Sequence, residues 1–314
     1  MSSQATQSVL KPATATADSL FEIGAVLTIG ASLIFVLVMV LLALALRRRP
    51  PETKPFNAGL WIIGGGVVFP VLVLSALMVY ASVRTSQLTT RPDPRDGLVI
   101  SVTAKLWWWE VRYRDPTSGR DILLANEIRI PQGRPLTLAL SSADVIHSFW
   151  VPELAGKVDM VPGRLHHLHL EARKPGVHRG QCAEYCGEQH ALMALHVVVL
   201  PADEFDSWLA AQARPAQTPK DEPAQRGRAT FLQARCNACH TIRGVSEEST
   251  LGPDLTHVGS RLFIGAGTLP THRGTLGGWI ADTQGIKPGA RMPSFDQLDG
   301  PSLNALAAYL DQLK

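Results

Sequence analysis

QCAEYCGEQHALM, residues 181–193, brings two thiols (Cys182 and Cys186), an imidazole (His190) and a thioether (Met193) into one short run. Thiolate and thioether donors are soft and favour copper, whereas zinc gains little from a methionine. A mononuclear blue-copper site uses one cysteine, two histidines and a weak methionine, and here there is one cysteine more. Two thiolates can bridge two copper ions, each then wanting one imidazole and one weak axial donor, so a second histidine must come from elsewhere. His147 is the best candidate: it lies in DVIHSFW, 144–150, and follows the alternating run Leu136 to Leu140. A β-sandwich can bring such a strand end beside a ligand loop. His166, His167 and His169, which alternate along HHLH, are the rivals. The competing reading is a structural disulfide between Cys182 and Cys186 with bystander histidines.

Outward from this loop, short alternating runs such as Val99 to Val102 and Leu136 to Leu140 stand between turn-forming clusters at 91–97 and 131–135. This pattern predicts an all-β domain over 95–209. The stretch AQARPAQTPKDEPAQ, 211–225, has no apolar period, which predicts an extended linker over 210–223. Residues 224–314 hold helical patterns near 228–234 and 302–313 among many glycines, as expected of a small all-α domain wrapped on a cofactor.

Towards the N-terminus, residues 23–46 and 60–83 are free of charge. Each would be about 36 Å long as a helix, enough to cross a hydrocarbon core of about 30 Å. A cleaved signal is disfavoured, because the first apolar region is too long and its leader carries only Lys11 as a positive charge. The reading is a transmembrane hairpin over 21–85 with a disordered leader at 1–20. Arg47, Arg48, Arg49 and Lys54 between the spans put that loop in the cytoplasm and both termini outside. Gly64, Gly65, Gly66 and Pro70 are tolerated in the second span where neighbouring helices re-satisfy the backbone, so the hairpin is expected to dock on a larger membrane partner. With 30 basic and 27 acidic residues in 314, the net charge of +3 is too small for the basic field that nucleic-acid binding requires.

The other two cysteines stand in CNACH, Cys236 to His240. Two thiols can form thioethers to haem vinyls while the adjacent imidazole ligates iron, so C-x-x-C-H reads as attachment of a c-type haem. Gly227 and Phe231 precede the motif, LGPDL follows from Leu251, and Met292 in RMPSF stands 52 residues after His240. Met292 is the sole methionine of this segment, and a His/Met axial pair raises the haem potential as an electron carrier needs. His257 and His272 are rival ligands. The segment resembles class I cytochrome c, and that resemblance implies that the Pro253 carbonyl orients the His240 ring.

The chain as a whole resembles subunit II of cytochrome c oxidase. The matching elements are the apolar hairpin, KLWWWEVRY from Lys105, DVIHSFW from Asp144, DMVPGR from Asp159 and the C-x-E-x-C-x-x-x-H-x-x-M loop. The fused C-terminal segment points to the caa-type haem-copper oxidases. The resemblance implies a cupredoxin-like Greek-key sandwich holding the two-copper CuA centre, with Cys182 and Cys186 as bridging thiolates. His147 and His190 become the terminal imidazoles, with Met193 and the Glu184 carbonyl as axial ligands. The Glu184 side chain would share a Mg²⁺ ion with subunit I, and Trp107 would be the point at which electrons enter the copper site. The implied role is electron transfer from an external cytochrome or quinol:cytochrome c reductase complex, through haem c and CuA, to subunit I. There O₂ is reduced to water with proton pumping across a bacterial inner membrane. One departure is Ala58, three residues before Trp61, where the family often has a glutamate at a proton-channel inlet. No proton-uptake role follows for this chain.

Two other functions compete. A nitric oxide reductase with a similar copper loop would differ in its partner subunit. A membrane-anchored copper-delivery protein also offers C-x-x-x-C with a distant histidine, but follows the second cysteine with proline in a βαβ fold; here Gly187 follows.

Overall fold

The computed structural model describes residues 7–47, 57–88 and 97–314. The chain forms two units, one spanning 15–91 and the other joining 1–14 to 92–314.

In the first unit, α1 (Ala15–Arg47) is 33 residues long and is followed by α2 (Ala58–Leu60), a π-helical stretch (Trp61–Val68) and α3 (Phe69–Leu88). The two apolar spans are longer than the expected 23–46 and 60–83. The widened π turns contain Gly64, Gly65 and Gly66 and end just before Pro70, whose missing N–H disrupts the regular ladder. Arg84 pairs with Glu22 at 2.8 Å, so the end of α3 meets the start of α1 in a hairpin. Leu33, Phe35, Leu72 and Leu74 are all exposed. Helices apolar all round are stable in lipid, which wets every face. The expected cytoplasmic loop, including Arg48, Arg49 and Lys54, lies outside the described residues.

In the second unit the strand-rich domain contains β1 (Leu98–Lys105), β2 (Trp108–Arg114), β3 (Asp121–Ala125), β4 (Glu127–Pro131), β5 (Leu136–Ser142), β6 (His147–Trp150), β7 (Val158–Met160), β8 (His166–Leu170), β9 (Gly176–Cys182) and β10 (Ala194–Leu200). They form two five-stranded sheets, ordered β3-β2-β1-β5-β8 and β4-β10-β9-β6-β7. β1 runs parallel to β5 and β4 parallel to β10, and the other pairs are antiparallel. Ile100, Val102 and Ala104 alternate inward along β1 to meet Ile128, Ile130 and Leu195 in one core, the period-2 burial that selects a strand.

Two boundaries differ from expectation. The leader is ordered where it is described: Ala13 N–H donates to the Glu153 carbonyl at 2.8 Å, the Thr14 hydroxyl donates to Leu154 O at 2.5 Å, and α1 starts at Ala15. The β domain closes with α4 (Ala202–Gln212), which drops Phe205 and Leu209 into the core beside Tyr113, so the linker is confined to 213–221. Even there Ala216 N–H donates to Arg243 O at 2.9 Å. The absence of an apolar period concealed these polar attachments.

The C-terminal domain opens with α5 (Glu222–Gln233), capped by Asp221, and adds the short pair β11 (Phe263–Ile264) and β12 (Leu269–Pro270). It then runs through α6 (Arg273–Ala281), α7 (Thr283–Ile286) and α8 (Gly300–Gln312). The small β11-β12 ladder departs from an all-α description. Helices α5 and α8 cross at Gly227, where a side chain would run into the Ala305 carbonyl and Tyr309. One turn on, Phe231 meets Tyr309 edge to face at 6.4 Å. Gly227→Val should therefore destabilise the C-terminal domain by about 3 kcal/mol or more, because overpacking here meets backbone. Thermal unfolding followed by calorimetry checks this, and an unchanged transition would refute it.

Candidate metal centre and cofactor cavity

The loop 182–193 joins β9 to β10, and Cys182 N–H donates to Met193 O at 2.9 Å, closing its base. Within it the Sγ atoms of Cys182 and Cys186 are 3.7 Å apart, far beyond the roughly 2.05 Å of a disulfide bond. All four cysteines of the chain are free. His190 Nδ1 lies 3.6 Å from Cys186 Sγ and Met193 Sδ lies 3.9 Å from it. The Glu184 carbonyl is 3.1 Å from Cys182 Sγ. From β6 the fully buried His147 places Nδ1 3.8 Å from Cys182 Sγ. His147 is thus the histidine brought to the thiols. His166, His167 and His169 lie on β8 in the other sheet, where His169 pairs with Thr137 at 2.9 Å.

The electrostatics follow from crowding. The close Sγ–Sγ contact between Cys182 and Cys186 lowers the Cys182 pKa and raises that of Cys186. Burial disfavours a charged His147, but contacts with Cys182 and Asp144 outweigh it and raise the pKa. Asp144 Oδ1 lies 2.8 Å from His147 Nε2. This carboxylate fixes the ring so that Nδ1 faces the thiols, the orienting role that outer carboxylates play for metal-bound histidines. Asp144 was not foreseen, although its position three residues before His147 is a legible signal.

The three tryptophans separate by role. Trp109 is fully buried and meets Phe149 edge to face at 5.9 Å. Trp107 rests on Gly187 and donates from Nε1 to the Cys186 carbonyl at 2.9 Å. Trp107 and Trp108 also line a cavity of about 480 Å³ in the C-terminal domain, within the roughly 300–1,000 Å³ typical of ligand sites.

Cys236, Cys239, His240 and Met292 line that cavity together with apolar side chains such as Phe231, Leu276 and Phe295. His240 Nδ1 is 2.7 Å from Pro253 O, which fixes the tautomer and leaves Nε2 for a metal. A side chain at Gly252 would meet the His240 ring at 2.7 Å, so LGPDL provides a cradle that only glycine leaves open. Burial lowers the His240 pKa, which favours the neutral ligand form. His257 and His272 do not line the cavity; His257 Nε2 faces Arg214 O at 3.1 Å and His272 caps α6. The apolar walls, paired thiols, oriented imidazole and thioether fit a covalently held haem.

One further group joins the two sites. Lys287, buried to 3 % exposure, donates from Nζ to the carbonyls of Trp107 and Leu192, each at 2.9 Å. Burial pushes its pKa down to about 8. Nothing local in GIKPGARM marks this lysine as buried; its surroundings come from the other domain.

Comparisons with known proteins agree with this division. Residues 114–200 match the family of the periplasmic domain of cytochrome c oxidase subunit II, and 224–314 match the cytochrome c family. Cytochrome c oxidase subunit 2 of Alkalihalophilus pseudofirmus is 35 % identical over 300 residues, covering 92 % of this chain and 84 % of that protein. The protein of the same name from Bacillus subtilis is 30 % identical over 264 residues, covering 79 % and 73 %. The periplasmic domain of subunit II of cytochrome oxidase from Bradyrhizobium japonicum is 32 % identical over 38 % of this chain and 95 % of that structure, with a TM-score of 0.35. The chain is therefore a membrane-anchored terminal-oxidase subunit, belonging to the cytochrome c oxidase subunit II family in the form that carries a fused C-terminal cytochrome c domain.

Proposed function

We propose that this chain is the electron-transfer subunit of a bacterial respiratory oxidase, receiving single electrons from an external cytochrome or quinol:cytochrome c reductase complex and delivering them to subunit I. When bound, a covalent haem c and a two-copper CuA centre supply the one-electron redox chemistry, which subunit I uses to reduce O₂ to water with proton pumping. The observation that carries this reading is the continuous donor set from His147 Nδ1 through the two thiols to His190 Nδ1, with each step under 4 Å.

Each residue has a defined task. Cys182, Cys186, His147, His190, Met193 and the Glu184 carbonyl would hold the copper ions, the two thiolates and two imidazoles as strong donors and the thioether and carbonyl as weak ones. Cys236 and Cys239 would anchor the haem while His240 and Met292 ligate its iron. Trp107 joins the two, since its ring lines the cavity and its N–H bonds to the carbonyl of a copper-ligand residue. The Glu184 carboxylate stands half-exposed with Lys157 at 3.4 Å. It would share Mg²⁺ with subunit I if that subunit supplies further oxygen ligands, since Mg²⁺ takes one or two carboxylates and keeps waters. The reading puts both termini and both redox domains on the outer side of the inner membrane, a side supported by the positive charge of Arg47, Arg48, Arg49 and Lys54 between the spans.

Purified full-length protein is expected to hold two copper ions and one haem iron per chain, with a seven-line copper paramagnetic resonance spectrum. A four-line spectrum at one copper per iron would refute the copper assignment. Met292→Ala should remove the weak sulfur-to-iron absorption of the oxidised haem and lower its potential; an unaltered spectrum would rule out Met292 as ligand. Trp107→Leu should leave the copper spectrum in place and slow haem-to-copper transfer at least about tenfold, or roughly 1.4 kcal/mol of barrier. Flash photolysis measures that rate, and a wild-type value would show that Trp107 is not on the route.

A further inference from the structure

Lys287 belongs to no metal-binding motif, yet it touches both halves of the electron-transfer unit. Its Nζ donates to Trp107 O and Leu192 O of the β domain and to Gly265 O of its own domain at 3.4 Å. An ammonium has three N–H donors, and three carbonyls use them all. Burying this charge without such partners would be strongly unfavourable. Two of the three carbonyls are available only when the domains are docked. Leu192 immediately precedes Met193 in the ligand loop, and Trp107 carries the indole bonded to Cys186 O.

The contacts around Lys287 are close. Gln189 Nε2 donates to Pro288 O at 2.5 Å, and Ala194 N–H donates across the interface to Ala266 O at 3.0 Å. His196 stacks on Phe263 with ring centroids 4.2 Å apart. Lys105 and Arg129 also reach across, to Thr250 O and Ser260 O, but both remain partly solvated. Bonds from a dehydrated cation are stronger than those from a hydrated one.

We propose that Lys287 is a positioning residue, a cationic latch that seats the cytochrome domain on the copper-ligand loop, holds Trp107 against the haem cavity and biases the copper centre towards its reduced form. The bias rests on the copper reading above; the latch does not. A fixed positive charge beside a redox centre favours the state that has gained an electron, so its removal lowers the potential.

The test uses the full-length protein with Lys287→Met, which keeps the length and apolar stem but removes the charge and donors, and with Lys287→Arg, which keeps the charge. In Lys287→Met, the Ala194 amide is expected to exchange with deuterium at least tenfold faster. The Cys182 amide, bonded within the β domain, should keep its protection. Wild-type exchange at Ala194 would overturn the latch, and so would faster exchange at both amides, which would signal a general folding role. At unchanged copper content, Lys287→Met should also lower the copper midpoint potential and slow haem-to-copper transfer at least tenfold, while Lys287→Arg retains the potential. A wild-type potential in Lys287→Met, or an equal drop in both variants, would overturn the electrostatic part. Absence of copper from the wild-type protein would refute the copper reading and leave the exchange measurement valid.

Discussion

The hydrogen bond from Cys182 N–H to Met193 O closes the copper-type loop at the end of the β9-β10 ladder. Ten residues lie between those two positions, and the thiols and thioether converge because the loop's ends are held at strand-pair separation. The remaining histidine arrives from β6, which pairs antiparallel with β9 and sets Phe149 opposite Cys182. The sandwich therefore acts as a jig: ladder hydrogen bonds fix the backbone, and soft side chains need only turn inward. Burial then excludes the water that would compete for the same donors.

A second layer of order comes from groups outside the two donor sets. Asp144 fixes the His147 ring, Pro253 fixes the His240 ring, and Trp107 holds the Cys186 carbonyl. In each case one polar atom removes a rotational choice from a side chain that would otherwise have several. On the proposed reading, the electronic properties of both sites depend on these restraints as well as on the donor atoms themselves.

What could be read from the sequence was whatever is encoded over short distances. The two apolar spans, the alternating strands, CNACH and the 181–193 loop are local patterns, and the structure shows elements over all of them. His147 was reachable because a strand end beside the loop was a chemical necessity. Lys287 was not, because a lysine in a glycine- and proline-rich turn looks solvated until the facing carbonyls of Trp107 and Leu192 are known. The ordered leader at Ala13 and Thr14 and the docked segment after α4 were missed for the same reason: their partners lie far away in sequence. Periodicity reports which face is buried and is silent about polar groups that attach an irregular strand to a distant carbonyl.

The short segment between Gln212 and Glu222 has a kinetic consequence. Joined through nine residues and seated on the β domain, the cytochrome domain is never more than a few tens of ångströms from the 182–193 loop, its acceptor on the proposed path. Donor and acceptor within one chain behave as if each were present at very high local concentration. The step between them is then first-order, independent of how much protein the membrane holds. On the proposed path, only the earlier arrival of an electron from outside remains a two-body encounter, and ionic strength acts chiefly on that encounter.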